Sequence, residues 1–110
     1  MTDLEKFFNH ELLIEITGIS AEDLAELDNL LGLKFCNGSR LEKGSYRERR
    51  NIFLHCRSYD GVNKLSYSDR PVDHMRNELP MNYVTYSEIL YDNKMQDVNL
   101  DDIFKVNENE

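Results

Sequence analysis

Apolar residues recur at helical spacing in one segment near the start of the chain. Ser20 and Asp23 form a capping box before this stripe, and Gly32 follows it where a helix commonly ends. The spacing therefore predicts an amphipathic helix over residues 20–31. The apolar stripe consists of Leu24, Leu27, Leu30 and Leu31.

A second pattern, alternation of apolar and polar residues, surrounds the dipeptide Asp60-Gly61. Asp-Gly is typical of a two-residue type I′ turn, so residues 52–59 and 62–68 are predicted to form a β-hairpin. Alternation places one face of this hairpin in the core and leaves the other face in water. The predicted register pairs Tyr59 with Val62, Cys56 with Leu65, and Leu54 with Tyr67. The core face holds Ile52, Leu54, Cys56, Leu65 and Tyr67; the wet face holds His55, Arg57, Lys64, Ser66 and Ser68, with Phe53 as an apolar exception.

Weaker signals complete the predicted order of elements. The fold class that results is α+β: a small, mostly antiparallel sheet with the 20–31 helix packed on one face. We expect a single domain over residues 1–106 and a frayed acidic tail over residues 107–110. The remaining predicted elements are a helix over 3–9, strands over 12–16, 33–36 and 83–86, a loop over 72–79 and a short amphipathic segment over 100–106.

Charge is distributed unevenly along the chain. The formal net charge is −8, with an acidic segment over 1–33, a basic one over 34–80 and an acidic one over 81–110. A net acidic protein is repelled by nucleic acid at long range, which favours a basic protein as partner. Because no apolar run or leader-like start is present, we expect a cytoplasmic protein without membrane contact.

Four acidic residues of the predicted helix are assigned to its wet face. A row of carboxylates can imitate phosphates, so this face is predicted to bind a host or bacterial protein that has a basic surface. An ordinary solvated helix face is the alternative explanation. The four residues are Glu22, Asp23, Glu26 and Asp28.

A basic segment over residues 37–57 is the second candidate site. Arginine can hold phosphate groups and tyrosine can stack on a base, so this segment predicts a nucleotide or RNA ligand. Alternatively, the segment only balances the acidic helix of its own chain, or that of a second copy in a homodimer. The candidate ligand-binding residues are Arg40, Tyr46, Arg47, Arg49, Arg50 and Arg57.

Two clusters contain residue types that could support catalysis or metal binding. Cys36 with His55 is the one conceivable nucleophile and base pair, but no local nucleophile motif accompanies it. Asp69, Asp73 and His74 lie close together around a proline, where a solvated loop is the simpler explanation. We therefore expect no enzyme activity, no catalytic residues, no cofactor and no metal site.

The layout around the 20–31 helix resembles a known group of proteins. Gly32, Phe35 and Gly38 follow the helix and precede the hairpin, and residues 83–90 close the domain. This order is similar to that of small accessory (early) proteins encoded by tailed bacteriophages. The resemblance implies a protein of the host cytoplasm that inhibits or modulates a host nucleic-acid-handling or defence protein, or that sequesters a signalling nucleotide. An immunity protein that neutralises a toxin nuclease would share the acidic surface.

Overall fold

The computed structural model describes residues 2–43, 51–73 and 76–95 of the 110-residue chain. The helices are α1 (Asp3–Phe8), α2 (Ala21–Leu31) and α3, whose described part covers residues 86–95, with a 3₁₀ turn at Leu41–Lys43. The strands are β1 (Leu13–Glu15), β2 (Phe53–Tyr59), β3 (Val62–Ser68), β4 (Val72–Asp73), β5 (Leu79–Pro80) and β6 (Tyr83–Thr85).

Four strands form the main sheet in the order β3-β2-β1-β6. The β1–β2 and β2–β3 pairs are antiparallel, whereas β1 and β6 are parallel. Strands β4 and β5 form a separate antiparallel pair. The predicted α+β class is therefore confirmed, with one parallel pair at the edge of a mixed sheet. Within the described residues, no helix is long and apolar enough to cross a membrane.

Helix α2 begins and ends where its sequence signals predict. The Ser20 hydroxyl accepts a hydrogen bond from the Asp23 amide at 3.1 Å, which satisfies one of the unpaired N–H groups of the first turn. Gly32 ends the helix with a φ of 64°, a left-handed conformation that glycine adopts without a Cβ clash. Leu24, Leu27 and Leu31 are buried, so the leucine stripe faces the core.

The hairpin has the register that the Asp60-Gly61 turn predicts. Both turn residues have positive φ, as a type I′ turn requires. Tyr59 pairs with Val62, Cys56 with Leu65, and Leu54 with Tyr67.

One hydrophobic cluster joins α1, α2, α3 and one face of the sheet. Ile14 of β1 and Leu54 of β2 are fully buried at its centre, and the α2 leucines pack against the same cluster. Ile89 and Leu90 bring α3 to the cluster, which explains why the segment after β6 is helical rather than extended. The predicted packing of the leucine helix on one face of the sheet is therefore confirmed.

The hairpin faces are less cleanly divided than the alternation predicts. Tyr67, predicted to be in the core, is 37 % exposed at the edge strand β3 and packs edge-on against Phe35. His55 is predicted to face water, and Phe53 is predicted to be the apolar exception on the same wet face. Both residues are buried. Phe53 packs edge-on against Tyr83 of β6, a contact that alternation along one strand cannot reveal.

Two further boundaries differ from the prediction. Residues 72–79, expected to form a loop, contribute β4 and the start of β5. Residues 33–36 form no continuous strand and make only isolated bridges, Lys34 with Arg40 and Phe35 with Leu65. A pairing of two residues on each side, such as β4 with β5, is too short to give a strand signal in the sequence. The predicted segments 100–106 and 107–110 lie outside the described residues.

Candidate functional site

Three side chains of β2 share the face of the sheet that lies opposite α2. Successive residues of a strand point to opposite faces, so His55, Arg57 and Tyr59 are grouped together. Leu54 and Cys56, at the intervening positions, belong to the core cluster. Side chains that can form hydrogen bonds therefore alternate with core residues along one central strand.

A cleft of about 260 Å³ opens over this face. Strand β2 supplies one side of the cleft. His10, two residues beyond the end of α1, supplies another side, and β4 contributes the carboxylate of Asp73. The cleft brings together residues that are far apart in sequence. The lining residues are His10, His55, Arg57, Ser58, Tyr59 and Asp73.

His10 owes its position to the way in which α1 ends. The His10 amide donates to the Phe7 carbonyl and the Glu11 amide donates to the Lys6 carbonyl, which is the hydrogen-bond pattern of a Schellman motif. That motif requires a left-handed residue, and His10 has a φ of 67°. Glycine usually occupies this position, so a histidine there costs roughly 1 kcal/mol of backbone strain. An unfavourable residue at a cleft points to a role for its side chain.

The imidazole of His10 is fixed by one hydrogen bond. Its Nδ1 lies 2.6 Å from the backbone carbonyl oxygen of Cys56. Because a carbonyl oxygen can only accept, Nδ1 carries the proton and donates it. In the neutral ring Nε2 is therefore the acceptor, and protonation of the ring turns Nε2 into a donor without disturbing the bond to Cys56.

Arg57 is held by the neighbouring histidine. Its Nε donates to Nδ1 of His55 at 3.3 Å. His55 is buried and accepts at Nδ1, so its proton is on Nε2. Within the described part of the chain, the terminal nitrogens of Arg57 make no hydrogen bond or ion pair. The cleft thus contains an arginine whose orientation is set through Nε and whose terminal donors are available.

Asp73 is the acidic residue of the cleft. It is 8 % exposed, and its Oδ2 lies 3.8 Å from Nε of Arg76. This ion pair with Arg76 partly offsets the negative charge that Asp73 brings to the lining.

Asp28 corrects the predicted acidic surface. It was expected on the wet face of α2, but its side chain is 1 % exposed and its Oδ2 lies 3.0 Å from Nε of Arg40. Asp28 follows Leu24 and Leu27 at helical spacing, so it lies beside the leucine stripe and is buried. Arg40 therefore contacts the acidic helix of its own chain instead of standing free for a ligand.

The other three acids of α2 remain accessible. Glu22 is exposed, Asp23 is half-buried in the capping box, and Glu26 lies 3.6 Å from Nζ of Lys94 on α3. Only Glu22 thus keeps the fully exposed position that a partner-binding acid was predicted to have.

Most of the predicted arginine site falls outside the described residues. This applies to Tyr46, Arg47, Arg49 and Arg50. The homodimer, in which these arginines meet the acidic helix of a second copy, stays a prediction.

A second, wider groove of about 570 Å³ lies between the start of α1 and α3. Three carboxylates line it, together with Tyr91, which is 63 % exposed. Glu88 also takes part in capping α3, since its amide lies 3.4 Å from the Thr85 hydroxyl oxygen. The carboxylates are those of Asp3, Glu88 and Asp92.

The clusters considered for catalysis or metal binding are dispersed. Cys36 is exposed and, among the described residues, does not line the cleft with His55. Asp69 is paired with Arg70 at 3.7 Å, whereas Asp73 faces the cleft; His74 lies outside the described residues. In the described part of the chain no group of three or more His, Cys, Asp or Glu side chains could hold a metal ion.

The sequence held only part of the signal for this cleft. Arg57 was identified as a candidate for ligand binding, and His55 was assigned to the same face. His10 was missed, because its approach depends on the left-handed turn and on the packing of α1 beside β2. A histidine at a position after a short helix where glycine is usual would have been the one available hint.

No protein-family model, no curated protein and no solved structure matches the chain. The cleft is therefore interpreted on its own chemistry.

Proposed function

We propose that this chain is a non-enzymatic binding protein that holds an oxyanion, of the phosphate class, in the cleft between β2, β4 and the end of α1. The observation that carries the proposal is the bond from Arg57 Nε to His55 Nδ1. It fixes a guanidinium beside the cleft and leaves its terminal donors for a ligand. Arginine suits a phosphate because its paired N–H groups match two phosphate oxygens.

His10 supports the same ligand. Its Nδ1 is committed to the Cys56 carbonyl, so only Nε2 is available to a ligand. A protonated ring would donate from Nε2 to an oxyanion, next to the charge of Arg57. The strained backbone at residue 10 keeps this imidazole at the cleft at a cost in stability.

The arrangement favours binding over acid–base chemistry. Nδ1 of His55 accepts the hydrogen bond from Arg57 Nε, so this nitrogen is already committed within the protein. Its role is to position Arg57. The thiol of Cys56 faces the core, so only its backbone carbonyl takes part in the site.

The test is replacement of Arg57. We expect Arg57→Gln to weaken binding of inorganic phosphate and pyrophosphate about 10- to 100-fold, because charge-assisted hydrogen bonds are lost. Isothermal titration calorimetry on the full chain measures both affinities. His10→Asn, which tolerates the left-handed backbone but lacks the imidazole, should weaken the same two probes.

Arg70→Gln is the matched control, since Arg70 is an exposed arginine paired with Glu78 away from the cleft. It should leave both affinities within about twofold, because screened surface charges act weakly. Equal losses in Arg57→Gln and Arg70→Gln would show that only net charge matters. No binding by the native chain would overturn the proposal.

A second function, modulation of a partner protein with a basic surface, is favoured by the groove beside α3. Its carboxylates surround the exposed ring of Tyr91, and a lysine or arginine can pair with the former and stack on the latter. Lys94 on α3 contacts Glu26 on α2, so these two acidic helices are neighbours. In this alternative the protein inhibits a nucleic-acid-handling or defence protein of a bacterial host, as a phage or immunity protein would.

Charge reversal tests this second function. We expect the double variant Glu22→Lys, Asp92→Lys to lose a partner that native protein retains from bacterial lysate at low salt and releases at high salt. Glu11→Lys is the control and should retain that partner, because Glu11 is an exposed acid that lies outside α2 and outside the groove beside α3. Equal retention by the double variant would exclude the acidic surfaces as the binding site.

A further inference from the structure

We infer that the ligand of the cleft is a single nucleotide unit, with its phosphate on Arg57 and its base stacked on Tyr59. This inference rests on the proposed binding of an oxyanion. It adds a second contact, an aromatic one, which selects nucleotides from among phosphate-bearing molecules.

Tyr59 carries the aromatic contact. It is the last residue of β2, two positions beyond Arg57, so both side chains stand on one face of the strand. The ring is 38 % exposed and lines the cleft, and it makes no ring contact with another aromatic residue in the described part of the chain. Three other aromatic pairs do pack edge-on: Phe7 with Phe8, Phe35 with Tyr67 and Phe53 with Tyr83.

The spacing along the strand agrees with the size of a nucleotide. Residues two apart on a strand are separated by roughly 6.5 Å, about the distance over which a sugar joins a phosphate to a base. Asp73 lines the cleft with them.

The volume limits the ligand further. At about 260 Å³ the cleft lies just below the range of roughly 300–1,000 Å³ that is usual for sites that enclose drug-sized ligands. This volume limits the ligand to one nucleotide at most. A free nucleoside monophosphate and the phosphorylated end of an RNA present the same chemistry to such a site.

The experiment compares four probes on the native full chain: inorganic phosphate, ribose 5-phosphate, adenosine 5′-monophosphate and a 5′-phosphorylated RNA oligonucleotide. We expect the monophosphate to bind at least about 10-fold more tightly than ribose 5-phosphate, because a stacked base adds affinity. Phosphorus NMR during the titration should show the monophosphate intact. Tighter binding of the RNA than of the monophosphate would identify RNA ends as the source.

Two variants of one residue separate stacking from phosphate binding. Tyr59→Leu should lose the advantage of the monophosphate over ribose 5-phosphate, whereas Tyr59→Phe should keep it, because the stacking ring is retained. If phosphate binds through Arg57 but the base adds nothing, this inference fails and the proposed function stands. If no probe binds, both fail.

Discussion

Replacement of Arg40 by alanine is expected to destabilise the protein by about 3 kcal/mol. The reason is that Asp28 is 1 % exposed and loses its cation, and an uncompensated buried charge is costly. In the described structure Oδ1 of Asp28 already has no hydrogen-bond partner, so this carboxylate depends on the single contact through Oδ2. Urea denaturation measures the loss as a lower midpoint at unchanged slope.

The converse substitution should cost much less. Asp28→Asn removes the buried charge and leaves Arg40, whose side chain is 47 % exposed, in contact with water. We therefore expect the double variant Asp28→Asn, Arg40→Ala to be more stable than Arg40→Ala alone, a coupling that the double-mutant cycle isolates. Additive losses, or a greater loss from Asp28→Asn than from Arg40→Ala, would contradict the buried-charge explanation.

This ion pair also shows where reasoning from sequence ends. Helical spacing located the leucine stripe of α2 correctly, and the capping signals located both ends of the helix. Asp28 is predicted on the wet face because of its charge, since charged residues are rarely buried unless paired. Its partner, Arg40, lies 12 positions away beyond a turn. A local sequence pattern does not show which residue 12 positions away becomes the partner of Asp28. The burial of Asp28 could therefore not be predicted.

In the sheet, too, the local pairing could be predicted from sequence and the long-range pairing could not. The Asp60-Gly61 turn fixes the register of its own hairpin, because a two-residue loop leaves no freedom in pairing. The parallel contact of β1 with β6 pairs residues 70 positions apart in the chain, as for Leu13 with Tyr83, and only the packed core determines it. The cleft could not be predicted for the same reason, because its lining residues come from β2, β4 and the segment after α1, which are distant in sequence.

The two arginines of the basic segment that the structure describes, Arg40 and Arg57, have different partners. Arg57 stands beside a histidine that orients it, whereas Arg40 is committed to Asp28. Two arginines of one basic segment thus make different contacts, Arg57 with a histidine of the proposed site and Arg40 with a buried carboxylate. Net charge alone would have assigned both to the same function.

The two cysteines are expected to differ at least about 1,000-fold in their rates of alkylation at pH 8. Cys36 is exposed, whereas Cys56 is fully buried and burial raises the pKa of its thiol from 9.0 to about 11. Only the thiolate reacts, and Cys56 becomes accessible only when the protein opens, which is rare in a stable domain. Mass spectrometry of protein treated with iodoacetamide should find one label, on Cys36.

Denatured protein is the control for this last result, and both cysteines should then react at similar rates. The variant Cys36→Ser isolates the slow reaction of Cys56, whose rate then reports opening of the core. Because the Cys56 carbonyl also holds His10, phosphate bound in the cleft should slow this labelling further. Rapid labelling of Cys56 in the native chain would mean that β2 is not packed against α1 and α2 as described, and the cleft would lose the strand on which it is built.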